Sequence, residues 1–300
     1  MVQNKAVEIL MATYNGEKYI KEQIDSIINQ TYTNWKLLIR DDGSKDKTIE
    51  IIKKYVKKDT RIKLIEDNKG NLGFVKNFEE LIKDSKEKYI MFSDQDDYWL
   101  ENKLQIYINE LSKLSKDELE NPLLLHSNSF VCDKNLEVIK EKFINSKVAL
   151  QYGGNSYFFA YTVQGSTALI NRKLIDIGIP FLKNVTVHDR YFHLLAEFFG
   201  KRIFIDESLM KYRQHLNNNI GAKSSIIKKI LKKRYFEEEE RNLILEIKNK
   251  YEAKIESEKI ELIDRYLEVT DRTKNRIIRL IKSFVFRINI KKRVFILLKG

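Results

Sequence analysis

The first hundred residues alternate between two periodicities, and this alternation limits the possible folds more than any other feature of the chain. Val7–Met11, Trp35–Ile39, Ile62–Ile65 and Tyr89–Phe92 are short, largely apolar runs with the length and composition of buried strands. Between them, Ile20, Ile24, Ile27 and Ile28, then Ile49, Ile52 and Val56, then Phe74, Phe78, Leu81 and Ile82 recur at helical spacing, giving each segment one apolar face. The resulting order β-α-β-α-β-α-β predicts a parallel, doubly wound α/β sheet with right-handed crossovers. Each strand ends in a polar segment, at Ala12–Gly16, Arg40–Ser44, Glu66–Asn71 and Ser93–Asp97. In such a sheet these ends gather on one rim, the place where open α/β sheets bind ligands.

The fourth strand end carries the densest chemistry. Ser-Asp-Gln-Asp-Asp-Tyr-Trp at 93–99 sets Asp94, Asp96 and Asp97 within four positions. Carboxylates this close repel one another unless a cation compensates. A hard divalent metal with oxygen ligands is the natural partner. The plainer reading is a polar turn capping the next helix, a role that needs only one Asp. Neither G-x-x-x-x-G-K-[ST] nor G-x-G-x-x-G occurs. A bound nucleotide would therefore rest on carboxylates and a metal rather than on a glycine nest, which argues against P-loop NTPases and NAD-dependent dehydrogenases.

Beyond residue 100 the pattern loosens. Leu104, Ile108 and Leu111 predict a helix, and 122–131, 163–170 and 203–205 predict strands. An aromatic stretch, Tyr152–Tyr161, suits either stacking on sugar rings or plain packing. Tyr191, Leu194, Leu195, Phe198 and Phe199 form one helical face that Gly200 ends, so Asp189 falls at that helix's N-terminus, as a cap or as a general base. His215, followed by three asparagines, is a metal or phosphate ligand or an ordinary surface histidine. Cys132 is the single cysteine, which excludes an internal disulfide and a Cys-rich zinc site. The sequence shows no secretory signal pattern at its start and no run of about 18 apolar residues that would span a membrane.

Five motifs in order, VEILMATYNG at 7–16, Gln30-Thr31, RDDGS at 40–44, Asn71-x-Gly73 and SDQDDYW at 93–99, resemble the donor-binding half of family 2 glycosyltransferases with the GT-A fold. His188-Asp189 and Tyr212–His215 resemble the C-terminal half of bacterial members, including rhamnosyltransferase-like proteins of cell-surface polysaccharide synthesis. The resemblance implies a GT-A domain over 1–221, with a nucleotide-sugar donor half at 1–100 and an acceptor half at 101–221. Its fold would be a Rossmann-like, mostly parallel sheet flanked by helices, with a helical C-terminal extension. It implies inverting transfer from a nucleotide sugar, dTDP-rhamnose or a UDP-hexose, to a saccharide acceptor, lipid-linked or free. By the same resemblance Ala12, Tyr14, Asp42, Asn71, Asp94 and Asp97 bind the donor; Tyr14 packs on the base and Asp42 hydrogen-bonds it. Asp96, with Asp94 and His215, holds Mn2+ or Mg2+, and Asp189 is the catalytic base. His188 departs from the acidic residue that many relatives carry before the base.

The charge is unevenly spread. Of the net +12, residues 271–300 supply +9 (ten Lys/Arg, one Asp), leaving +3 for residues 1–270. Basic residues there interleave with an apolar helical row at Ile277, Ile281, Phe284 and Ile288. Residues 222–300 are therefore expected to form a basic amphipathic helical tail that lies on the cytoplasmic face of an anionic membrane, making the protein cytoplasmic and peripheral. The alternatives are a helix packed on the body or on a second subunit; no nucleic-acid motif is present. The competing class for the whole chain is a non-catalytic GT-A-like scaffold whose basic tail binds membrane or nucleic acid.

Overall fold

The structure is a computed structural model that describes residues 5–144, 146, 155–159, 162–215 and 226–286, with backbone alone at 155–156 and 226–237. Several expectations lie outside the described residues: the 221/222 boundary, most of the Tyr152–Tyr161 stretch, and Ile288 with the five basic residues from Arg287 onward.

Four parallel-paired strands form the N-terminal half: β1 (Val7–Thr13), β2 (Trp35–Asp41), β3 (Ile62–Ile65) and β4 (Tyr89–Ser93). Helices α1 (Ile20–Ile28), α2 (Thr48–Val56) and α3 (Phe74–Asp84) connect them. The side-chain period of two splits the strands cleanly between two cores. Val7, Ile9, Met11, Leu37, Ile39, Tyr89 and Met91 face α1 and α2, whereas Leu10, Leu38, Ile90 and Phe92 face α3. Both faces are covered, which is why these strands read as nearly continuous apolar runs. The exception, Glu8, is buried because its carboxylate accepts the main-chain N–H groups of Lys86 (2.6 Å) and Glu87 (3.0 Å).

The sheet order is β3-β2-β1-β4, so the chain winds outward from β1 and then returns to its other side. The β1/β4 boundary is thus the topological switch point, where a crevice opens beyond the strand ends. The second half adds β5 (Tyr98–Trp99), β6 (Leu123–Cys132), β7 (Val138–Lys140), β8 (Ala168–Asn171) and β9 (Lys201–Arg213). Past β4 the order is β8-β6-β9-β5, with antiparallel contacts at β4/β8, β8/β6 and β9/β5 and a parallel one at β6/β9. Helices α4 (Lys103–Ser112), α5 (Lys116–Glu120), α6 (Arg172–Gly178) and α7 (His188–Phe199) complete this half.

The C-terminal helices α8 (Ile226–Tyr251), α9 (Ser257–Thr270) and α10 (Arg276–Lys282) follow. Leu243, Ile244, Ile247, Tyr251, Ile263, Tyr266 and Val269 join the core that holds α7. Polar links reinforce the junction: Arg190 pairs with Glu240, Tyr251 OH donates to the Ile177 oxygen at 2.5 Å, and Lys259 Nζ donates to the Phe198 oxygen at 3.1 Å. Phe158 stacks on Tyr266 with ring centres 5.0 Å apart, so the described part of the aromatic stretch is packing. Helices α8 and α9 are thus built onto the body. The α10 row is different: Ile277, Ile278, Ile281 and Phe284 are 51–65% exposed. Among the described residues no helix is long and apolar enough to cross a membrane.

Candidate active site

The rim is assembled by bonds between strand ends. After β1, the Tyr14 main chain is clamped on both sides by Gln95, whose Oε1 accepts the Tyr14 N–H and whose Nε2 donates to its oxygen, both at 2.9 Å. Gly16 allows this approach, since a Cβ there would stand 2.3 Å from Gln95 Oε1. The clamp fixes the backbone and leaves the Tyr14 ring 48% exposed, free to stack. Ala12, the residue before the strand's last, is half-buried beside Arg40.

Asp42 is engaged differently from a surface ligand. Its carboxylate accepts Arg40 Nη1 (3.0 Å) and the N–H groups of Leu72 and Gly73 (2.8 Å each), and Asn71 Nδ2 donates to its main-chain oxygen at 2.9 Å. Asp42 therefore ties the β2 end to the start of α3, bringing Asn71 to the same rim. Arg40, itself buried, is shared with Asp67.

The acidic loop leaves β4 at the switch point. Asp94 is half-buried, and burial, with Asp96 and Asp189 nearby, pushes its carboxyl up to about 7. Asp97 lies completely buried; Oδ1 accepts the Arg213 N–H at 3.3 Å and Oδ2 has no hydrogen-bond partner among the described residues. Burial, then Asp94 and Asp96, hold its carboxyl well above the ordinary range. Asp96 faces His215, with Oδ2 and Nε2 2.7 Å apart. These residues fit a divalent cation. Cis ligands about an ion at 2.1 Å stand about 3 Å apart, close to the Asp96–His215 spacing. Among the described residues no three His, Cys, Asp or Glu side chains form a ready metal cluster. An ion of the Mg2+ kind is commonly bound by one or two carboxylates plus substrate phosphates, so an open half-site is sufficient.

Asp189 enters from α7. The cap position of that helix is Val187, and Asp189 sits in the first turn, so it does not act as the cap. Its Oδ2 accepts the Gly165 N–H at 2.8 Å and its Oδ1 the Arg190 N–H at 2.7 Å. Gly165 begins a short 3-10 turn, Gly165–Thr167, that also touches the acidic loop, because Ser166 lies beside Asp94 and Asp97. His188 packs against Phe74, Phe78 and Phe92, and burial lowers its imidazole to about 3, so it is neutral in the folded chain.

Three contributors escape sequence reading. Lys103 is fully buried on α4; its Nζ donates to the Ser166 oxygen at 2.6 Å and stands 3.5 Å from the Trp99 ring centre. Burial drives its ammonium well below the ordinary lysine range, opposed by Asp97 and Asp94. One turn later Tyr107 OH donates to the Thr167 oxygen. Arg213, at the end of β9, donates from Nε to the Asp96 main-chain oxygen at 2.8 Å. Sequence places Arg213 inside the Tyr212–His215 motif without giving it a role, and offers for Lys103 and Tyr107 only their i, i+4 placement on a predicted helix.

A family model described as glycosyl transferase family 2 matches residues 8–117. RfbG of Shigella flexneri, a dTDP-rhamnosyl transferase, is 30% identical over 231 residues, 72% of this chain and 75% of RfbG. WfaP of Escherichia coli, a UDP-Glc:alpha-D-GlcNAc-diphosphoundecaprenol beta-1,3-glucosyltransferase, is 40% identical over 179 residues, 59% of this chain and 65% of WfaP. Among solved structures, S. aureus TarS 1–349 in complex with UDP-GlcNAc aligns with a TM-score of 0.64 at 16% identity, covering 96% of this chain and 77% of that one. That last likeness is one of fold.

Proposed function

The chain belongs to glycosyl transferase family 2, and from that premise we propose that it catalyses inverting, metal-assisted transfer of a sugar from a nucleotide sugar to a saccharide in surface polysaccharide synthesis. The observation that carries this reading is the convergence of Asp94, Asp96, His215 and Asp189 on the rim at the switch point, linked by the Gly165–Thr167 turn.

Each residue has a task in that reaction. The exposed Tyr14 ring stacks on the nucleotide base, beside Ala12, Asp42 and Asn71. Asp96 and His215, with Asp94, hold Mn2+ or Mg2+. Such an ion, when bound, stabilises the charge developing on the leaving diphosphate. Asp97 supports the loop from beneath, through its bond with the Arg213 main chain. Asp189, held by two N–H groups, takes the proton of the attacking hydroxyl. With Asp94 and Asp96 assigned to the metal, Asp189 is left to act as a base in a single displacement, which inverts the anomeric carbon.

For the donor, dTDP-rhamnose is favoured by the likeness to RfbG, with a UDP-hexose as the competitor. For the acceptor, WfaP supports a lipid-linked saccharide. A lipid-linked acceptor suits a chain in which α8 and α9 pack onto the body while the apolar row beginning in α10 faces a membrane. The exposed row Ile277, Ile278, Ile281 and Phe284, next to the exposed Lys274 and Arg276 and the half-buried Arg272, matches an anionic cytoplasmic leaflet in both hydrophobicity and charge. The test is a thermal-shift panel of nucleotide sugars with and without Mn2+. One donor should raise the melting temperature only when the metal is present; a flat panel would contradict the reading.

A further inference from the structure

A cavity of about 560 Å3 opens between α1, the Lys134–Leu136 turn and the side chain of Arg213, within the size range of small-ligand sites. The charges lining it are in unequal states. Glu22 is paired with Arg213 Nη2 at 2.5 Å. Asp25 accepts Lys21 Nζ at 2.9 Å and Tyr55 OH at 2.5 Å. Both acids are therefore neutralised by neighbours. Lys18 and Lys134 have no ion pair with any described residue, and Lys18 Nζ stands 4.9 Å from the Tyr19 ring centre. The cavity's uncompensated charge is thus positive, and Tyr19 and Tyr98 add ring surface.

One wall is shared with the active site. The Arg213 guanidinium that closes the cavity stands 4.3 Å from the Tyr19 ring centre and also holds the Asp96 main-chain oxygen. The Tyr19 ring in turn contacts His215, with centres 4.9 Å apart. A ligand seated here would lie next to the acidic loop, separated from it by Arg213.

We propose that this cavity binds the phosphate-bearing end of the acceptor, a sugar diphosphate, while the acidic loop holds the donor's own diphosphate. Two unpaired ammonium groups suit a phosphate as point charges, and tyrosine rings suit the attached sugar. The inference rests on the glycosyl-transfer reading above, but its first test does not require activity.

That test is calorimetric titration of the full chain with inorganic diphosphate in EDTA, where the metal site cannot contribute. Wild type should bind. Lys18→Gln/Lys134→Gln, altering two exposed residues outside the catalytic machinery, should bind at least about tenfold more weakly. Asp96→Asn should bind as tightly as wild type or more so. No binding by wild type, equal binding by the lysine variant, or loss of binding in Asp96→Asn would each overturn the proposal. The second test compares kcat/KM for a diphosphate-linked saccharide and for the same saccharide as a methyl glycoside. Wild type should prefer the former by about tenfold or more, and the lysine variant should lose that preference through KM, with donor KM unchanged. Equal use of the two by wild type would count against the cavity. Intact diphosphate binding with no turnover of any donor would count against the glycosyl-transfer reading instead.

Discussion

His215 Nε2 lies 2.7 Å from Asp96 Oδ2, joining the segment just after β9 to the loop after β4 across 119 positions of sequence. Asp96→Asn should therefore remove both transfer and the metal-dependent part of donor binding. His215→Asn should weaken the metal by at least about tenfold, the scale seen for groups that support metal sites. Titration with Mn2+, in the presence and absence of donor, measures both. Near-normal transfer by Asp96→Asn would remove this residue from the metal site.

Lys103 and Tyr107 hold consecutive carbonyls of the turn that presents Gly165 to Asp189. Loosening either bond should misplace the base. Lys103→Met and Tyr107→Phe are each expected to lower kcat by roughly tenfold or more, with donor KM changed by less than about threefold. Because both act on one turn, the double variant should be no worse than the more severe single one. Additive losses would mean that the two bonds serve separate ends.

His193 is fully buried, with Nδ1 3.2 Å from Arg190 Nη1 and Nε2 3.4 Å from Glu197. Burial lowers its imidazole to about 4, against 6.5 in the unfolded chain. As pH falls, the unfolded chain takes up this proton first. Stability relative to His193→Asn should be level above about pH 6.5 and decline below it, by about 1.4 kcal/mol per pH unit and about 3 kcal/mol by pH 4. Urea denaturation of both proteins from pH 8 to 4 checks the sign. Parallel curves would show that the folded protein accommodates the charged ring.

Ile277, Ile281 and Phe284 are 64–65% exposed, so charged substitutions there should leave folding intact. Ile277→Glu/Ile281→Glu is expected to reduce co-sedimentation with phosphatidylserine vesicles at least about tenfold, since it removes buried apolar area and adds repulsion from the anionic surface. Unchanged binding would assign this face to something other than lipid.

What could be read in the sequence follows a physical divide. The strands and helices of the first hundred residues were legible because burial on both sheet faces leaves unbroken apolar runs, and the acidic loop because carboxylates so rarely crowd without cause. The roles of Asp42 and Asp189 within the rim were less so. Each carboxylate is committed to main-chain N–H groups 24 to 31 positions away, Gly165 for Asp189 and Leu72 and Gly73 for Asp42. Such partners carry no side-chain signature. Lys103 reads as one more lysine on a charged helix, because its burial depends on Ser166 and Trp99 meeting above it. The tail reads as a membrane-lying amphipathic extension because its charge dominates, whereas the single face of α8 and of α9 that joins the core, with Leu243, Ile247, Ile263 and Val269, is too sparse to stand out. β9 runs through 201–213, whereas only 203–205 is uniformly apolar, since its outer positions are charged.

The central claim is that the acidic loop and Asp189 are two halves of one active site. The most direct measurement uses a single preparation of Asp189→Asn and compares donor affinity in Mn2+ with donor turnover in the presence of acceptor. Affinity within about threefold of wild type, with turnover reduced by about 10²–10⁴, is the expected result for loss of a general base. Wild-type turnover, or loss of donor binding together with turnover, would contradict it and leave Asp189 as a strut for the Gly165 turn.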